Sequence, residues 1–128
     1  MKIILDTNFL IYCAKEKMDY EEEIGNLINE KYNLVVPEQV VNELKKLRDD
    51  KLKKVSGKDK DAANLALQIL AVKNIDIINI SGKSVDEAII NLANSDTKNI
   101  VCTLDREMRN ILGRVILISR GKRLILTR

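Results

Sequence analysis

Residues 1–11 read MKIILDTNFLI. A short apolar run over 2–5 stops at Asp6, Thr7 and Asn8 follow, and a second apolar run opens at Phe9. The first run shows no polar alternation, as expected of a strand covered on both faces. Helical spacing begins at Thr7 and continues to about residue 17. An acid between strand and helix is either a helix cap or a group held for chemistry. The rest of the chain bears on that choice.

Beyond this opening, helices and strands alternate. Residues 20–31 (YEEEIGNLINEK) form a predicted helix with acids in its first turn. A strand follows at 33–36, and Pro37 suits the first turn of a helix over 38–48. The charged stretch 49–60, punctuated by Ser56-Gly57, reads as a loop and as the mobile part of the chain. Helical spacing returns over 61–72, then a strand at 75–80. Ser84 and Glu87 make a capping box for a helix over 85–94. A strand at 99–103, a short helix at 106–112, a strand at 115–118 and an edge strand at 123–127 complete the pattern. Alternation of this kind predicts a three-layer α/β/α sandwich, with a mainly parallel central sheet of about five strands, in one domain over 1–128.

Composition narrows the chemistry. The 128 residues are 45% hydrophobic and 32% charged, with only 3% aromatic, so the core is built from Ile, Leu, Val and Ala. No apolar run approaches the roughly 20 residues of a membrane span, and the first residues do not read as a signal peptide. The expectation is a cytoplasmic protein with no membrane association. Cys13 and Cys102 sit in apolar stretches and read as buried thiols. The absence of histidine removes histidine-based catalysis and histidine metal ligation. Catalysis would need carboxylates, lysines, hydroxyls or a metal held by oxygen. The net charge is +3, with basic stretches at 45–60 and 119–128, which modestly favours a polyanionic partner.

In open α/β sheets chemistry collects at the carboxyl ends of strands. Asp6 follows the first predicted strand, Glu43 lies in the helix after the second, Asp86 in the helix after the third, and Thr103 and Asp105 end the fourth. Each acid alone is explained by capping or solvation. Together they would repel one another on one rim, and a divalent cation relieves that repulsion. Oxygen-only sites suit Mg²⁺ or Mn²⁺. Phosphate-loop, dinucleotide and dehalogenase-type signatures fail: Gly82-Lys83-Ser84 has Ile77 where the loop needs glycine, and Asn8 stands where the last needs Asp.

These residues resemble a known family. LDTNFLI, PEQVVNEL, VDEAIINLA and VCTLDREMR are similar, in order and spacing, to the four motifs of PIN-domain nucleases. The resemblance covers almost the whole chain. It implies metal-dependent endoribonuclease activity on single-stranded RNA and an acidic set of Asp6, Glu43, Asp86 and Asp105 binding Mg²⁺ or Mn²⁺. Thr7, Asn8 and Thr103 would support them. Asp86 fits the third motif by its spacing to Ile89 and Ala93, while its neighbour Glu87 is explained by capping. Glu107 would stand close enough to assist Asp105. Lys51, Lys53, Lys54 and Arg106 would guide the RNA backbone electrostatically. The resemblance further implies a homodimer. It leaves two roles open: the toxin of a toxin–antitoxin pair, silenced by a small antitoxin protein, or a pre-rRNA-processing nuclease. The competing class is a non-catalytic PIN scaffold that binds RNA or protein. A full complement of acids argues against a pure binder of polyanions.

Overall fold

A computed structural model describes residues 1–119 and 122–127. Arg120, Gly121 and Arg128, part of the basic C-terminal stretch, lie outside the described residues. In chain order the elements are β1 (Lys2–Leu5), α1 (Thr7–Lys15), α2 (Tyr20–Leu27), β2 (Asn33–Pro37), α3 (Glu38–Arg48) and α4 (Gly57–Val72). They continue with β3 (Asp76–Ile78), α5 (Val85–Asn94), β4 (Ile100–Cys102), α6 (Arg106–Leu112), β5 (Val115–Ile118) and β6 (Leu124–Leu126).

Six strands form one sheet in the order β3-β2-β1-β4-β5-β6. All neighbours are parallel except β6, which returns antiparallel to β5. This is the expected α/β architecture, with the apolar tail adding the sixth strand. Ile3, Ile4 and Leu5 are all fully buried. Because successive strand side chains point to opposite faces, both faces of β1 are covered. The T-shaped pair Phe9 and Tyr20, with centroids 6.1 Å apart, joins this aliphatic core. Both cysteines are buried free thiols. Burial pushes the Cys13 thiol up to about 12. No helix among the described residues is long and apolar enough to cross a membrane.

The sheet order positions the site. From β1 the chain winds outward through β2 to β3, then returns to lay β4 on the other side of β1. The winding direction therefore reverses between β1 and β4. At such a switch point a crevice opens beyond the carboxyl ends of the two strands. Asp6 and Thr103 are the residues that follow those ends.

Several boundaries differ from the sequence expectation: α1 stops at Lys15 rather than about 17, and β3 spans Asp76–Ile78 rather than 75–80. The second helix ends at Leu27 rather than 31, because Ile28 turns to extended backbone and packs into the core at 8% exposure. The fourth starts at Gly57 rather than 61: Ser56 Oγ accepts the Asp59 N–H at 3.1 Å and caps it. The loop of 49–60 thereby shrinks to residues 49–56. That segment folds around Asp50, whose carboxylate accepts the N–H groups of Lys54 and Val55 at 3.0 Å each and of Leu52 at 3.4 Å. These bonds hold the Asp50 carboxyl below the usual range.

Candidate active site

Asp6 ends β1 and caps α1. Its N–H donates to the Cys102 carbonyl across the β1–β4 pair at 3.0 Å. Its Oδ1 accepts the Thr7 N–H at 2.7 Å, and its Oδ2 accepts the Thr103 hydroxyl at 2.7 Å. With both oxygens anchored, the carboxylate is only 3% exposed. Of the two explanations offered for this acid, the helix cap is the one these bonds display: Asp6 is the N-cap of α1.

Burial raises the Asp6 carboxyl from 3.8 to about 6, against the opposing hydrogen bonds from Thr103 and Thr7. The negative charges of Asp86 and Glu43 push it further in the same direction. Two acids from the second and third motifs therefore act on the buried acid of the first. The charge that reaches Asp6 from the first turn of α5 is that of Asp86. Its neighbour Glu87 is exposed, and its backbone N–H donates to Ser84 Oγ at 3.1 Å, which is the Ser84 half of the expected capping box.

The fourth motif joins through Thr103. This fully buried residue donates to Asp6 and accepts the Asp105 N–H at 3.0 Å. Asn8 Oδ1 accepts the Leu104 N–H at 3.1 Å and lies 3.5 Å from Thr103 Oγ1. Asn8 thus ties the start of α1 to the turn after β4. Asp105 Oδ1 accepts the Glu107 N–H at 2.9 Å, so its carboxylate caps α6. Glu107 itself is exposed.

Two clefts meet at Glu43. One, of about 380 Å³, is lined by Thr7, Asn8, Ile11, Leu47 and Leu104 as well as Glu43. The other, of about 320 Å³, is lined by Gln39, Asn42, Lys46, Lys83 and Ser84 as well as Glu43. Of these, Lys46 belongs to the basic 45–60 stretch already singled out, while Gln39 and Lys83 were not expected at a site. Helical spacing offered a signal for Gln39, since residues i and i+4 share a helix face and Gln39 precedes Glu43 by one turn. The expected RNA-contacting residues Lys51, Lys53 and Lys54 are exposed on the 49–56 segment. Arg106 is exposed in the first turn of α6.

A cation is suited by part of this arrangement. The donors are all oxygen, and the buried Asp6 carboxylate is destabilised by the neighbouring acids. Beside it the buried Thr7 hydroxyl has no hydrogen-bond partner. Among the described residues, however, no three acidic or thiol side chains converge closely enough to grip one ion together. Any hard cation taken up here would therefore reach some of these carboxylates only through water.

The sequence and the fold both have counterparts. Residues 3–126 match the family model described as a PIN-like domain. Over 111 residues the chain is 38% identical to Ribonuclease VapC4 of Methanocaldococcus jannaschii, covering 87% of this chain and 82% of that protein. The PIN domain endonuclease Utp24 superposes with a TM-score of 0.77 at 18% identity, covering 98% of this chain and 90% of its own. A structure of VapBC2 from Rickettsia felis, bound to a DNA fragment from their promoter, superposes with a TM-score of 0.61 at 18% identity. It covers 91% of this chain and 97% of its own. At these identities the two superpositions bear on the fold alone.

Proposed function

The chain belongs to the PIN-like domain family, and from that premise we propose that it is a metal-dependent endoribonuclease hydrolysing phosphodiester bonds of single-stranded RNA. The observation that carries this reading is the buried Asp6 carboxylate, anchored at both oxygens and pushed up by Asp86 and Glu43. Such charge repulsion costs stability unless a cation or a proton offsets it.

In this reading residues 1–128 act as one domain, and Asp6, Asp86, Asp105 and Glu43 hold Mg²⁺ or Mn²⁺, partly through water. Bound there, the ion supplies Lewis acidity toward the phosphate and lowers the pKa of the attacking water. Thr103 fixes the Asp6 rotamer, and Thr7 offers its unpartnered hydroxyl to a water of the site. Glu43, at the junction of the two clefts, takes the proton of the attacking water. Lys51, Lys53, Lys54 and Arg106 draw in the RNA backbone.

The curated relative is a ribonuclease of the VapC type, which favours the toxin role over RNA processing. The partners are then single-stranded RNA and a small antitoxin protein, with action in the cytoplasm as a homodimer.

The test is cleavage of an end-labelled single-stranded RNA. Wild type is expected to cut with Mn²⁺ and to stop with EDTA. Cutting that persists in EDTA would overturn the metal-dependent mechanism. Binding without cutting, in every divalent metal tried, would favour the non-catalytic scaffold. Reversing Lys51, Lys53 and Lys54 to Glu is expected to weaken RNA binding and flatten its salt dependence. The log–log slope should drop by about 2, since each neutralised phosphate of a single strand contributes about 0.7. An unchanged slope would remove these lysines from the interface.

A further inference from the structure

The loop between β3 and α5 is gripped by side-chain amides. Gln39 Nε2, on α3, donates to the carbonyls of Ile80 at 2.8 Å and Gly82 at 3.2 Å. Asn91 Nδ2, on α5, donates to the carbonyl between them, that of Ser81, at 2.8 Å. Three consecutive carbonyls of a segment outside helix and strand are thus held by two amides, one from each neighbouring helix. Gly82 closes the arrangement. A Cβ there would stand 2.6 Å from the Ala88 nitrogen and 2.7 Å from its Cα, so the loop lies directly against the first turns of α5. Ala88 is two residues beyond Asp86. Gln39 lies one turn before Glu43 on the same helix face.

We propose that Gln39 is a positioning residue that sets the spacing between Glu43 and Asp86 by holding the loop that leads into α5. The proposal rests on the reading of Glu43 and Asp86 as members of a cation site. One end of the link is rigid because Gln39 and Glu43 lie on successive turns of the same face of α3. The other is rigid because Gly82 leaves no gap between the loop and α5. The amide orientation is fixed as well. Turning it over would set Oε1 against two carbonyl oxygens. In the orientation found, both Nε2 hydrogens are used and Oε1 is buried without a partner. An unsatisfied buried acceptor is unfavourable, and it is retained together with the two-carbonyl grip.

The experiment is a double-mutant cycle on Mn²⁺ affinity, read by titration calorimetry on the full chain, with thermal melts to follow folding. Asp86→Asn and Gln39→Met are each expected to weaken Mn²⁺ binding by about tenfold, as for partners that orient metal-binding groups. In the Asp86→Asn background, Gln39→Met is expected to add nothing, because its effect runs through Asp86. An equal loss in both backgrounds would make Gln39 merely structural and overturn the proposal. Normal affinity in Gln39→Met, with weak binding in Asp86→Asn, would overturn it and leave the cation site standing. Unchanged affinity in Asp86→Asn would overturn the site reading and the proposal with it. Gly82→Ala, which displaces the loop from the opposite side, enters the same cycle if Gln39→Met does not fold.

Discussion

Replacing Asp6 with Asn is expected to abolish metal-dependent cleavage and, at the same time, to make the metal-free protein more stable at pH 8. In the folded chain the Asp6 carboxyl is raised from 3.8 to about 6. A raised carboxyl binds its proton more tightly folded than unfolded. Its contribution to stability is therefore fully present below about pH 4 and is lost as pH rises through about 6. A shift of about two units corresponds to about 3 kcal/mol of destabilisation carried by the ionised group. Asn keeps the oxygen that accepts the Thr7 N–H, and its amide donates to the Thr103 hydroxyl in place of the reverse bond. Denaturant unfolding with EDTA should show the variant ahead by up to about 3 kcal/mol at pH 8, with most of the gap gone at pH 4. Adding Mn²⁺ should stabilise wild type and leave the variant unmoved. A variant less stable than wild type at pH 8 would mean that the Asp6 charge is already compensated within the protein.

Thr103→Val is the second large effect. The hydroxyl of this fully buried residue donates to Asp6 and accepts the Asp105 N–H. Val has the same shape and neither function, so a carboxylate oxygen and a backbone N–H both lose their partners. The expected loss is about 2–4 kcal/mol at pH 8. It should be smaller below pH 6, where Asp6 carries a proton. The Thr103 bond also holds the Asp6 carboxyl down, so the midpoint of the pH-dependent stability change should move upward in the variant. Thr103→Ser, which retains the hydroxyl, should restore most of the stability and the original midpoint. If Val and Ser behave alike, packing rather than hydrogen bonding is what Thr103 supplies.

The parts of the fold that could be read from sequence are those whose cause is local. Apolar runs ending at Asp6 and Thr103 mark strands, because a strand covered on both faces has no polar position until it emerges. Ser84, with Glu87 three residues on, marks a helix start for the same local reason. The Ser56 cap carried a similar signal, Ser56 followed by Asp59, but its adjoining glycine suggested a turn. The end of α2 at Leu27 was not legible, because only the core decides that Ile28 leaves the helix. In the site, the first-motif acid and its hydroxyl and amide neighbours stood at the junctions that chain order predicts. Gln39 did not stand out, since its partners are carbonyls 41 and 43 residues away. A bond to the main chain leaves no trace in the identity of the residue it reaches.

The central place of β1 also bears on when the pocket forms during protein synthesis. β1 pairs first with β2, which emerges about 30 residues later, and this half of the sheet can assemble early. The partners that anchor Asp6 from the other side, β4 and Thr103, are 97 residues further along. Contacts of such long separation form late and carry a large loop-closure cost. A nascent chain still lacking residues 100–105 holds its N-terminal acid without the hydroxyl that orients it. On the ribosome, therefore, the bond that fixes the second oxygen of Asp6 has to wait until β4 and Thr103 have been made.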